Sequence, residues 1–163
     1  MERLDGIYEI HMLRARAGEL QIPLNDVESA RLARLERALG SRVPSLDERD
    51  AETWLPTPVP VQFTAQGTYG SGMARNLSGG GMAIVTSEPP ALGSRLVVRV
   101  EDQARGVEYV FPGRVISRVV KGLTAMSVEF EGVPSQARLG TRTSGVRRTA
   151  VPTPIGSRKP AQG

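Results

Sequence analysis

Hydrophobic and polar positions follow two different periods along this chain, and the change falls near residue 59. In the first part, Leu4, Ile7, Tyr8, His11 and Met12 recur at helical spacing with no proline among them. Gly18 and Pro23 bracket a connection. Asn25 then stands as an N-cap with Glu28 three residues on, a capping-box arrangement. Val27, Leu32, Leu35 and Leu39 mark the buried face of a second helix, and Gly40 is a natural stop. The connection is short, so the two helices are expected to fold back as an antiparallel hairpin, with Arg31, Arg34, Glu36 and Arg37 on its outside. A hairpin of this size buries too little surface to stand alone. Either it caps the next domain as an intramolecular lid, or its apolar face (Leu32, Leu35, Leu39) meets a protein partner or a second copy.

From Val59 the period becomes two. Val59, Val61, Phe63 and Ala65 alternate with Pro60, Gln62 and Thr64, the pattern of an edge strand that tolerates proline. Further strands are expected over Tyr69–Leu77, Met82–Thr86, Leu96–Val100, Val107–Val119 (kinked at Pro112-Gly113) and Thr124–Phe130. Six short strands with turn signals between them predict a mainly β domain, a small antiparallel barrel or sandwich. The chain thus divides into a helical hairpin (1–42), an acidic linker containing Pro44, Pro56 and Pro58 (43–58), a β domain (59–133) and a tail (134–163). The tail is rich in Gly, Pro, Ser, Thr and Arg without apolar periodicity, and reads as disordered. Trp54, the only tryptophan, sits in the linker and is expected to pin that segment to the edge of the core or to serve as a recognition residue.

Composition narrows the chemistry. Aromatic residues make up 4%, so the core must come mainly from aliphatic side chains. Cysteine is absent and histidine occurs once, which removes disulfides, thiolate chemistry and Cys/His-rich metal sites built within one chain. No apolar run approaches the length of a membrane span, the N-terminus does not read as a signal peptide, and a cytoplasmic protein is expected. The net charge of +4 is unevenly placed. Beyond Val133 lie Arg138, Arg142, Arg147, Arg148, Arg158 and Lys159 with no acid, leaving the rest of the chain slightly acidic. The folded part is therefore not a basic nucleic-acid-binding domain, although the tail could attract anionic lipid or nucleic acid.

Catalysis is hard to build from these residues. Glu88, Glu101, Asp102, Glu108, Glu129 and Glu131 fall mostly in turns or on outward strand positions, whereas general acid–base work needs titratable groups positioned in a pocket. The most informative stretch is Arg75-Asn76-Leu77-Ser78-Gly79-Gly80-Gly81-Met82. Asn76 and Ser78 are two apart and share a strand face. The glycines let the backbone turn with positive φ or admit a close neighbour. No Gly-Lys-Ser/Thr follows, so this is not a P-loop.

Asn76-x-Ser78-x-x-Gly81 resembles the Asp/Asn-x-Ser-x-x-Gly signature of PilZ domains. Val59-Pro60-Val61-Gln62-Phe63, Gly80-Gly81-Met82-Ala83-Ile84, the Pro89-Pro90-x-x-Gly93 turn, Gly113-Arg114-Val115-Ile116 and Ser127-Val128-Glu129-Phe130 fall in that family's order, over about residues 50–132. The resemblance implies a six-stranded PilZ-type β-barrel in a non-enzymatic bacterial signalling protein, often a receptor for cyclic di-GMP, with Asn76, Ser78 and Gly81 as ligand-binding positions. Receptors in the family also carry an Arg-x-x-x-Arg clamp before the first strand. Arginine suits a dianion with two purines, because it offers both bidentate phosphate contacts and planar stacking. Here the corresponding positions are Asp50 and Trp54, while Arg42 and Arg49 lack a partner four residues on. Losing two charge-assisted contacts of about 1.5–3 kcal/mol each would weaken binding severely. The expectation is an adaptor acting through protein contacts, with no cofactor and no high-affinity cyclic di-GMP binding. The alternative is a receptor with an atypical clamp. Control of motility or polarity is the family-level role.

Overall fold

The computed structural model describes residues 2–46, 54–120 and 122–140. Two helices come first, α1 (Glu2–Gly18) and α2 (Asp26–Leu39), followed by seven strands: β1 (Val59–Ala65), β2 (Thr68–Leu77), β3 (Gly81–Val85), β4 (Arg95–Asp102), β5 (Val107–Val119), β6 (Ala125–Phe130) and β7 (Ser135–Arg138). All pairings are antiparallel. The strand order is β4-β1-β2-β3-β6-β5-β7, and the additional β4–β5 pairing closes six strands into a barrel.

Closure explains two departures from the sequence pattern. Strand β1 is not an edge, since it pairs with both β2 and β4. Pro60 is tolerated because the β4 ladder ends at Val61↔Val100, one residue short of it. The irregularity of β5 is also displaced. Pro112 and Gly113 pair in regular register with Val97 and Leu96, and the shift comes between Val115 and Ser117. There Ile116 is turned out to solvent while Val115 is fully buried. A matching bulge lies between Ala74 and Asn76, so that Ala74 and Leu77 both face inward although three residues apart. The β1–β2 hairpin turns at Gln66-Gly67, both with positive φ, as a two-residue turn matched to strand twist requires.

The expected tail begins instead with a strand. β7 continues the line of β6 along β5, pairing Ser135–Arg138 with Val107–Val110, and all four of its residues are exposed. Residues 141–163 lie outside the described residues, as do Asp47 to Thr53 of the linker.

Alternating side chains of all six barrel strands fill the interior. Phe111 stacks between Tyr109 and Phe130 at ring separations of 6.2 and 4.7 Å. Leu4 and Ile7 of α1 belong to the same core, with Tyr8 edge-on to Tyr109. The hairpin is antiparallel as expected and is laced by ion pairs Arg14–Glu36, Arg16–Glu28 and Arg31–Glu9. Arg31 and Glu36 therefore tie the helices together and do not merely coat the outside. Val27, expected on the buried face, is exposed. It sits in the first turn of α2, where the capping box of Asn25 and Glu28 forms as predicted.

Candidate functional site

The signature segment closes the β2–β3 hairpin. The Ser78 N–H donates to the Gly81 carbonyl (3.0 Å), and the Gly80 N–H donates to Ser78 Oγ (3.1 Å). None of Gly79, Gly80 and Gly81 has the positive φ that would demand glycine. Their requirement is for space. A Cβ on Gly79 would meet the Gly40 carbonyl oxygen, one on Gly80 the Ser41 carbonyl oxygen, and one on Gly81 the Val128 carbonyl oxygen. Of the two roles open to these glycines in the sequence, close approach is the one realised.

The neighbour that approaches is the chain's own segment after α2. The Gly79 N–H donates to the Leu39 carbonyl (3.1 Å), and Ser78 Oγ donates to the Arg42 carbonyl (2.6 Å). Ser127 Oγ, buried on β6, donates to the Pro44 carbonyl (2.8 Å). Residues 39–44 thus form a strap across the β2–β3 turn and the adjoining part of β6. Arg42 contributes its backbone here, while its side chain is exposed. Asn76 Oδ1 accepts from the Leu77 N–H (2.8 Å) and is half-buried.

His11 completes the arrangement from α1. Its Nε2 lies 2.7 Å from the Gly79 carbonyl, so that nitrogen carries the proton, and its ring stands edge-on to Phe130 at 5.5 Å. Burial holds its pKa below the ordinary value against the opposing pull of the Gly79 hydrogen bond; Arg14 lowers it further and Glu36 raises it. The single histidine is a satisfied, buried ring. Among the described residues no group of three or more His, Asp or Glu could hold a metal.

Trp54 is half-buried beside the bulge of β2. The Arg75 guanidinium lies 5.7 Å from the centroid of its indole, and the Leu55 N–H donates to the Arg75 carbonyl (2.6 Å). The lone tryptophan pins the linker to the barrel, with Arg75 as its partner. Asp50 and Arg49 lie outside the described residues. Leu35 and Leu39 pack toward Gly6 of α1, where a Cβ would come 2.7 Å from Leu39 Cδ1, and Leu32 is half-buried on the same helix.

The structure therefore brings Ser78 and Gly81 together with residues that the sequence pattern did not single out: Pro44, Ser127 and the backbone of Leu39 to Arg42. Ser127 looks like a buried alternate position in an apolar strand, and nothing local marks it as a hydrogen-bond donor. The one legible signal was the run of three glycines, which allowed either a positive-φ turn or a close neighbour and named neither.

No helix among the described residues is long and apolar enough to cross a membrane. A search of curated proteins finds no match. Among solved structures, one similar chain is that of the PlzA protein of Borreliella burgdorferi in complex with c-di-GMP. The likeness has 17% identity and a TM-score of 0.37 and covers 67% of this chain, but only 43% of that one. The family model described as PilZ domain matches residues 46–141, more than half of the sequence, and spans the whole barrel, the signature turn and β7. The chain belongs to the PilZ domain family.

Proposed function

We propose that this chain is a non-enzymatic PilZ-family adaptor that acts through protein contacts and does not bind cyclic di-GMP with high affinity. One observation carries the reading: the signature turn already has an occupant. The Ser78 hydroxyl and the Gly79 N–H are engaged by the carbonyls of Arg42 and Leu39, and the space over Gly79 and Gly80 is filled by the backbone of Gly40 and Ser41. A nucleotide seated there must displace a strap anchored at Ser78, Gly79 and Ser127, and the Arg-x-x-x-Arg positions offer it aspartate and indole.

A second reading, the receptor with an atypical clamp, draws on Arg75. Its guanidinium stands over the Trp54 indole one residue from Asn76, a cation and an aromatic plane side by side. Isothermal titration of the full chain with cyclic di-GMP separates the two. The adaptor reading expects no saturable heat at micromolar nucleotide. Saturable micromolar binding that disappears in Ser78→Ala establishes the receptor and sinks the adaptor.

The partner surface is proposed to include Trp54 and the half-buried Leu32, Leu35 and Leu39 edge of the hairpin, with a protein of a bacterial regulatory pathway or a second copy as its occupant. A cytoplasmic setting and control of motility or polarity belong to the same reading. Leu32→Asp is expected to lower the sedimentation coefficient of any complex while leaving the β-sheet circular dichroism unchanged. Assembly at unaltered affinity removes the hairpin from the interface.

A further inference from the structure

Each of the six barrel strands has a neighbour on both sides, so among the described residues β7 alone presents an open edge. Which backbone groups face that edge follows from register. The Leu139 N–H donates to the Gly106 carbonyl (2.8 Å), continuing the pairing of Ser135–Arg138 with Val107–Val110. In an antiparallel ladder, hydrogen-bonded and non-bonded pairs alternate. Leu139, Ala137 and Ser135 therefore turn their N–H and C=O groups toward β5, and Gln136 and Arg138 turn theirs away from it. None of these outward groups bonds to the backbone of another described residue.

Little in the strand protects this edge. All four residues of β7 are exposed, its register with β5 runs without a bulge, and Pro134 stands before the strand and not within it. Natural edges are commonly blunted by a bulge, a proline or a charge inside the strand. β7 carries one charge, Arg138, at its end.

The occupant that fits is a second copy of the same strand. Two antiparallel copies related by a two-fold axis bond only where outward-turned residues stand opposite one another, which places the axis on a residue and not between two. An axis on Gln136 sets Arg138 against Pro134, which has no N–H to give. An axis on Arg138 sets that arginine against its own copy, a like-charge pair. An axis on Ala137 avoids both. Gln136 then stands opposite Arg138 of the second copy, and the reverse, closing four backbone hydrogen bonds. The side-chain amide of Gln136 becomes a neutral acceptor beside the facing guanidinium, and the small Ala137 meets itself where opposite residues come closest.

We propose that β7 is a self-association edge at which two copies of the chain join antiparallel, with the two-fold axis at Ala137. The contact goes beyond the adaptor reading and does not involve the helical hairpin. Four bonds between two short strands make a reversible dimer, whose population rises with concentration.

The absence of cysteine lets the axis be mapped directly. Ala137→Cys in the full chain, oxidised with glutathione disulfide, is expected to give a disulfide-linked dimer, because non-bonded antiparallel partners stand about 4.5 Å apart. Gln136→Cys should link at least about tenfold more slowly, since its own copy lies on the diagonal at about 7–8 Å. The wild-type sedimentation coefficient should rise between low micromolar and submillimolar concentration, with slower exchange of the Gln136 and Arg138 amides. Gln136→Pro removes an outward N–H and leaves the β5 ladder whole. It should hold the chain as a monomer, whereas Leu32→Asp should leave the dimer intact. A wild-type monomer at submillimolar concentration overturns the proposal, as does Gln136→Cys linking as fast as Ala137→Cys. A dimer that survives Gln136→Pro and dissolves in Leu32→Asp places self-association on the hairpin and overturns it equally. Should the proline variant not fold, the two cysteine rates decide alone.

Discussion

Helix α1 buries Leu4, Ile7, Ile10, His11 and Ala15, while α2 has no buried residue although its apolar positions repeat more regularly. The difference lies in what each helix touches. α1 is enclosed on two sides, by the barrel through Leu4, Ile7 and His11 and by α2 through Gly6, where Leu35 and Leu39 approach. Enclosure on two sides spreads its apolar residues around the helix and blurs its pattern. α2 packs mainly along α1 and meets the barrel only at its last residue, Leu39, so a clean stripe of Leu32, Leu35 and Leu39 is only half covered. Amphipathic regularity thus marks a helix with one neighbour. The less regular helix is the one built into the core.

The largest test of this contrast is truncation on each helix. Ile7→Ala is expected to lower unfolding free energy by about 2–5 kcal/mol in urea titration, because a fully buried side chain leaves a cavity. Leu32→Ala on α2 should cost well under half of that. Equal costs would mean that α2 is as deeply anchored as α1. Next in size is Gly80→Ala, whose Cβ collides with the Ser41 carbonyl under the strap. A loss of about 1–3 kcal/mol is expected, accompanied by faster amide exchange in residues 40–44. A neutral variant would show that the strap yields freely, which favours the nucleotide-receptor reading.

The pH dependence comes third. His11 is held neutral by burial, so below its ordinary value of 6.5 the unfolded chain takes up a proton that the folded chain refuses. Its contribution to stability is complete above pH 6.5 and declines as pH falls from there toward the lowered folded value. His11→Gln, which keeps a donor for Gly79, should flatten that limb of the stability curve. The same slope in the variant would remove His11 as its cause. Glu9, lowered first by its hydrogen bond from Arg31, and Glu28, lowered first by the Asn25 N–H, act in a separate window below about pH 4.5. The smallest effect belongs to Asn25→Ala. Loss of the capping box should weaken α2 by about 1 kcal/mol, visible as faster exchange in its first turn with the barrel amides unchanged. Faster exchange throughout the barrel core as well would contradict the view that α2 opens independently.

The positions of the six barrel strands along the chain were legible because barrel strands obey a period of two wherever one face is buried. β1 and β5 run over the residues their alternation predicted, Val59–Ala65 and Val107–Val119. The N-cap at Asn25 was legible because its chemistry is local. Legibility failed where burial comes from a distant segment. Ile10 lies outside the stripe of Leu4, Ile7 and His11, yet it is fully buried, its Cδ1 reaching the signature turn at Gly79. β7 was unreadable because Ser135–Arg138 is polar and exposed, held only by backbone pairing to β5. The candidate site divides the same way. Asn76, Ser78 and Gly81 stand out by type and spacing, whereas Ser127 and the carbonyls of Leu39, Arg42 and Pro44 do not.

The amino-acid order alone determined two helices, a capped second one, a set of antiparallel strands and a glycine run open to either a tight turn or a close neighbour. These follow from periodicity and from the backbone freedom of particular residues, which act over a few positions. Only the tertiary structure decided that β4 and β5 close a ring, that α1 plugs it, and that the close contact is the protein's own strap over Gly79–Gly81. Those outcomes depend on which distant surfaces fit one another, and a residue's nearest neighbours in sequence carry no record of that.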